Sequence, residues 1–170
     1  HKIAQTIIRT EDNGYLITGY GGPVPGSYSR PYSLKLNADL TVVWENYYEG
    51  FNTFPTVYTD NYESLYAFIG DAIINDDGTY YLWGINIGTI AGAILLIQID
   101  AAGNHIWDTL YRPSGWIGTV ADQVLRVKRT KDHGFIATGN YGGYRAAPKE
   151  AGVFMKFDSS LNYVWKSENL

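Results

Sequence analysis

Cysteine is absent from the 170 residues. That excludes a disulfide framework, a thiolate nucleophile and a cysteine metal site. Charge is sparse: Asp, Glu, Lys and Arg make up 18% of the chain, with a formal net charge of −4. A nucleic-acid binder needs a basic footprint, and this chain has none. The low charge does not signal disorder, because 45% of the residues are apolar. Long hydrophobic runs are also missing. A membrane-spanning helix takes roughly 18 uncharged apolar residues; Ile85 to Ile97 is shorter and broken by glycine. Histidine occurs only as His1, His105 and His133, without a His-x-x-x-His pair. There is no Gly-x-Ser-x-Gly elbow and no phosphate loop. These absences lead us to expect no catalytic residues, no metal and no cofactor.

The chain opens on His1-Lys2-Ile3, without Met, a charged n-region or an apolar h-region. The expectation is a chain that has lost a leader, or a piece of a longer one. What is abundant is tyrosine, with 15, and glycine, with 19. Together with the missing cysteine, this composition suits the outside or surface of a bacterial cell. The length suits a single domain, residues 1–170, with enough chain to bury a core.

Internal similarity organises the sequence. Arg9-Thr10-Glu11-Asp12-Asn13-Gly14-Tyr15-Leu16-Ile17-Thr18-Gly19 matches Arg129-Thr130-Lys131-Asp132-His133-Gly134-Phe135-Ile136-Ala137-Thr138-Gly139 at an offset of 120. A looser copy lies between them, Asn75-Asp76-Asp77-Gly78-Thr79-Tyr80-Tyr81-Leu82-Trp83-Gly84, with one extra residue after its turn glycine. A second block follows each of these. It runs from Leu36 to Trp44, from Ile99 to Trp107 and from Phe157 to Trp165, with Asn37, Asp100 or Asp158 seven residues before the tryptophan. From Gly14, Gly78 and Gly134 to Trp44, Trp107 and Trp165 the spacings are 30, 29 and 31. Such constancy marks one structural unit used three times.

Each unit reads as four strands. Leu125 and Val127 alternate with Arg126 and Lys128 in the period-two pattern of a half-buried strand. The first strands are expected over residues 3–9, 67–74 and 122–129, and the second over 15–18, 80–83 and 135–138. The third are expected over 33–36, 94–99 and 153–157, and the fourth carries the tryptophan. Asx and Gly between the first two strands read as a hairpin whose glycine supplies positive φ. Ile94-Leu95-Leu96-Ile97 is continuous rather than alternating, which predicts a strand covered on both faces. Residues 61–68 could hold a turn of helix.

Three four-stranded antiparallel units of about sixty residues predict an all-β fold of β-propeller blades, over residues 3–50, 65–112 and 121–168. The alternative is a β-trefoil, which also has three four-stranded repeats and closes as a monomer. The Asp100 to Trp107 segment, with Asn37 to Trp44 and Asp158 to Trp165, resembles the bacterial β-propeller repeats related to pyrroloquinoline-quinone dehydrogenases and outer-membrane assembly lipoproteins. That resemblance implies that each tryptophan docks one blade onto the next. The turn here is one residue shorter than the quinone family's and lacks its Thr before Gly. Leu40 and Leu161 replace the glycine in two copies. The quinone enzymes themselves are therefore a poor guide to activity.

Three blades cannot close a ring of the usual four to eight. The expected function is a non-catalytic interaction or assembly scaffold, completed by a second copy of itself or by further blades of a longer chain. The alternatives are a glycan-binding propeller and a quinone- or metal-dependent enzyme. Glycan candidates lie in the long loops, which pair Gly-Gly with Tyr and Arg: Tyr20, Tyr28 and Arg30, then Tyr141, Tyr144 and Arg145, with Arg112 and Trp116 from a connector. Phe51, Phe54, Tyr58 and Tyr62 of the other connector read as packing or chain-contact residues. Gly14, Gly78, Gly134, Trp44, Trp107 and Trp165 read as structural repeat positions. The Asx residues of the turns, among them Asp12, Asp77 and Asp132, read as turn formers rather than metal ligands, because no calcium-loop spacing surrounds them.

Overall fold

A computed structural model describes residues 1–22, 30–48, 66–87, 92–111, 123–141 and 151–168. Twelve strands form three separate four-stranded antiparallel sheets. The first sheet holds β1 (Lys2–Arg9), β2 (Tyr15–Gly21), β3 (Arg30–Leu36) and β4 (Val42–Tyr47). The second holds β5 (Tyr66–Ile74), β6 (Tyr80–Ile87), β7 (Gly92–Ile99) and β8 (His105–Tyr111). The third holds β9 (Gln123–Arg129), β10 (Phe135–Tyr141), β11 (Ala151–Phe157) and β12 (Tyr163–Glu168). Each sheet is a simple meander, its strands ordered as they occur in the chain. Among the described residues there is no helix. The turn of helix considered for 61–68 is replaced at Tyr66–Phe68 by the start of β5, and the rest of it lies outside the described residues.

One turn is built six times. At Thr10, Asn37, Asn75, Asp100, Thr130 and Asp158 the backbone N–H donates to the carbonyl four residues on. The N–H of the fourth turn residue donates back to the first carbonyl. That fourth residue is left-handed each time: Asn13, Leu40, Gly78, Gly103, His133 and Leu161 have φ of 63°, 67°, 79°, 83°, 61° and 65°. This is the three-residue hairpin loop that ends in a left-handed bulge.

The six turns correct the alignment of the second repeat. Gly78 corresponds to Asn13 and His133, not to Gly14 and Gly134, and the apparent extra residue disappears. Gly14 and Gly134 are therefore glycine for space rather than for φ. A Cβ on Gly14 would lie 2.2 Å from the Leu36 carbonyl oxygen and 2.6 Å from Lys35 Nζ. On Gly134 it would lie 2.4 Å from the Phe157 oxygen and 2.5 Å from Lys156 Nζ. The second sheet has Thr79 at this position and Gln98 in place of the lysine, whose Nε2 donates to Thr79 Oγ1 at 3.0 Å.

Packing between sheets makes two cores. Leu16 and Tyr48 of the first sheet region pack with Tyr80, Leu82, Leu95, Ile97 and Ile99 of the second. Trp83, Ile94 and Leu96 pack from its other face against Phe135, Ala137, Val153, Met155 and Phe157. Ile94 to Ile97 thus divides its side chains between two cores, as its unbroken apolar run predicts. Full burial stabilises by about 1.5–3 kcal/mol for each such side chain. Trp83 lies against Phe157 and Phe135, with ring centroids 5.0 and 5.8 Å away. The first and third sheets therefore occupy opposite faces of the second.

The first strand of every sheet carries a bulge at the same place. Pairing slips between Ala4 and Thr6, between Ile69 and Asp71, and between Val124 and Arg126. Gly19, Gly84 and Gly139 pair with the residue just before the slip. The fourth strands are bulged too, at Val43, Ile106 and Val164, which are 50%, 48% and 53% exposed.

Candidate functional site

The feature that recurs with chemical detail is the contact by which one sheet seats on the next. Lys35 on β3 and Trp44 on β4 share a cross-strand row with Leu16 on β2. This row faces the second sheet. The indole Nε1 of Trp44 donates to the Ala101 carbonyl at 3.1 Å. Asn46 Nδ2 donates to the Gly103 carbonyl at 2.9 Å, and the Tyr48 hydroxyl reaches the same oxygen at 3.3 Å. Both acceptors belong to the turn between β7 and β8. Gly103 sits so close beneath the tryptophan that a Cβ there would lie 2.8 Å from two indole carbons.

The second and third sheets repeat the contact. Trp107 packs against the second core, and the Tyr111 hydroxyl donates to the Leu161 carbonyl at 2.7 Å. Tyr48 and Tyr111 each follow their tryptophan by four residues. Burial pushes both phenols up to about 12, so they remain neutral donors at physiological pH. Leu161 fills the place of Gly103 and is itself buried. A shallow depression over the first contact is lined by Asn46, Tyr47, Tyr48, Gly103, Asn104 and His105.

Among the described residues the third tryptophan has no such seat. Trp165 is 43% exposed on the outward face of the third sheet, in a row with Lys156 and Ile136. Trp44 and Trp107 are half-buried against the cores, whereas Trp165 is exposed. Leu40, the first sheet's counterpart of Gly103, is 64% exposed.

A second recurrent position was missed in the sequence. Lys35 Nζ, nearly buried, donates to Asp12 Oδ2 at 2.6 Å, and Lys156 Nζ donates to Asp132 Oδ1 at 2.8 Å. The signal was available one residue upstream of the second block, as Lys-Leu-Asn, Gln-Ile-Asp and Lys-Phe-Asp. The Lys35 ammonium, followed by the Thr10 hydroxyl, lowers the Asp12 carboxyl to about 2. Lys156, followed by Thr130, holds Asp132 well below the usual carboxylate range. A carboxyl with a folded value below its unfolded one, about 3.9, lends stability that is complete above that value. The contribution is lost as pH falls through about 2. Urea midpoints should therefore fall modestly between pH 5 and pH 2, because both carboxylates are largely exposed, and Asp12→Asn should flatten part of that fall. An unchanged acid limb in Asp12→Asn would remove Asp12 from this role.

Three of the glycan candidates, Tyr20, Arg30 and Tyr141, fall among the described residues. Tyr20 lies within β2 rather than a loop, its ring 5.7 Å from that of Phe68. Arg30 begins β3 opposite Gly21, and Tyr141 ends β10 opposite Ala151. Tyr28, Arg112, Trp116, Tyr144 and Arg145 lie outside the described residues, as do Phe51, Phe54, Tyr58 and Tyr62. The turn aspartates serve their own turns: Asp39 and Asp77 accept from the following threonines, and Asp100 and Asp158 from the following asparagines. Among the described residues, no three His, Asp or Glu side chains gather where they could hold a metal ion. No protein-family model matches the chain, and no curated protein matches it.

Proposed function

We propose that this chain is an arc of a β-propeller that works as an interaction scaffold, its ring completed by further blades. One observation carries the proposal. A side chain of the fourth strand, or just beyond it, donates to the next sheet's last turn twice between three sheets, from Trp44 and Tyr48 to the Ala101–Gly103 turn and from Tyr111 to Leu161, while Trp165 and the Leu40 turn stand open at opposite ends. A propeller repeats such a contact around an axis and leaves only short sheet edges. A β-trefoil would seal three repeats against one another; here the outer two are separated by the second. The first strands β1, β5 and β9 also lie side by side, joined through Asp71, as the innermost strands of neighbouring blades would. Terminal repeats of a stacked array need a polar cap to stay soluble alone. The outward face of the first sheet instead carries Tyr15, Ile17, Leu34 and Leu36.

The test is a tandem of two copies joined by a flexible Gly/Ser linker. It should fold to a compact particle in which both Trp165 side chains are protected from hydroxyl-radical oxidation. An elongated particle with oxidisable Trp165 would reject the propeller.

A further inference from the structure

We infer that the partner of the open ends is a second copy of this chain, seated head to tail, so that each copy's Trp165 lies on the other's Leu40 turn. This rests on the propeller proposal and adds the identity and polarity of the partner. The outward face of the first sheet repeats, position for position, faces that are buried within the chain. Tyr15 matches Tyr80 and Phe135, and Ile17 matches Leu82 and Ala137. Leu34 matches Ile97 and Met155, and Leu36 matches Ile99 and Phe157. In the second and third sheets every one of these is buried, whereas the first-sheet residues are only half-buried.

The outward face of the third sheet is the matching half. Ile136, Thr138, Lys156 and Trp165 stand where Leu16, Thr18, Lys35 and Trp44 stand on the face that seats on the second sheet. The two open faces are thus the halves of an interface the chain already makes with itself.

Leu40 gives independent support. A leucine at φ 67° bears left-handed strain, and at 64% exposure no burial among the described residues offsets it. Its counterpart Leu161 has the same backbone at φ 65° but is buried in the core, where its carbonyl accepts from Tyr111. A second copy offers both missing halves at once. Two copies give six sheets, the one multiple of three within the four to eight blades of closed propellers. Such heterologous contacts close into a two-fold ring. One difference makes this contact weaker than the internal ones. Lys128 replaces Ile8 and Ile73 on the third sheet's open face.

Sedimentation equilibrium and native mass spectrometry of the unmodified chain should show a concentration-dependent dimer. Leu40→Arg and Trp165→Ala should each weaken association by at least about tenfold, with unchanged circular dichroism because both positions are exposed. Mixing the two variants should restore a one-to-one pair, because the first keeps Trp165 and the second keeps the Leu40 turn. A chain monomeric at hundreds of micromolar would overturn the inference. So would a dimer that survives both substitutions, a mixture that fails to pair, or open-ended growth beyond two copies. If the tandem closes while free copies stay apart, the self-pairing alone falls; if the tandem also stays open, the propeller falls with it.

Discussion

Gly84→Ala is expected to destabilise the protein by about 3 kcal/mol, a large fraction of the total stability of an ordinary domain. Gly84 faces the bulge of β5. A Cβ there would lie 1.9 Å from the Phe68 carbonyl oxygen and 2.9 Å from Ile69 Cα. Both atoms are backbone, so no rotamer change can relieve the overlap. Relief would require the β5–β6 pair to open beside Trp83 and Ile85, which are fully buried. The same geometry recurs at Gly19, whose Cβ would meet the Ile3 oxygen at 2.0 Å. Gly152→Ala is the internal control. Nothing lies within 4 Å of a Cβ at that position, and it should change stability by no more than about 0.5 kcal/mol. Urea denaturation of the two variants measures the contrast. Equal midpoints would mean that the bulge yields easily.

Asp71→Ala should cost about 3 kcal/mol. Asp71 is buried at the bulge of β5, between the first strands of the other two sheets. Its Oδ1 accepts from Thr6 Oγ1 at 3.3 Å and from the Ala72 N–H at 2.9 Å, and its Oδ2 accepts from the Val127 N–H at 2.9 Å. Alanine would strand the Val127 N–H in the interior without an acceptor, and a buried unpaired donor costs about 1–3 kcal/mol by itself. The specific readout is amide hydrogen exchange. Val127 should lose protection in Asp71→Ala far more than the interior amides of β7 do. Unaltered exchange at Val127 together with an unaltered urea midpoint would show that the carboxylate ties nothing together.

The strands were legible because their chemistry is local. Alternation at Leu125 to Lys128, the unbroken run at Ile94 to Ile97, and Asx-rich turns at constant spacing each report on a few neighbouring residues. The turn register was not. Asn13 and His133 adopt the left-handed conformation that glycine adopts at Gly78, so matching glycine to glycine shifts the second repeat by one residue. Sterics on a neighbouring strand, not backbone freedom, require Gly14, and that strand lies more than twenty residues away in sequence. Lys35 and Lys156 escaped notice for the same reason, because their partners are on another hairpin. The tryptophans illustrate the limit most directly. Trp44, Trp107 and Trp165 look alike in sequence, and only the sheet that follows each of them decides whether it is covered. Tyr20 reads as a loop residue beside Gly21-Gly22, yet β2 extends through it and Phe68 covers its ring.

Val43, Ile106 and Val164, the extra residues on β4, β8 and β12, have a consequence for how copies can meet. A flat, regular rim would offer its free amides and carbonyls to any passing strand, and such rims seed fibrils. The repeated kink spoils that template on all three rims at once, while the two broad flanks stay available. If copies pair as proposed, these kinks leave the flanks as the route of contact, and sideways stacking into ribbons is discouraged.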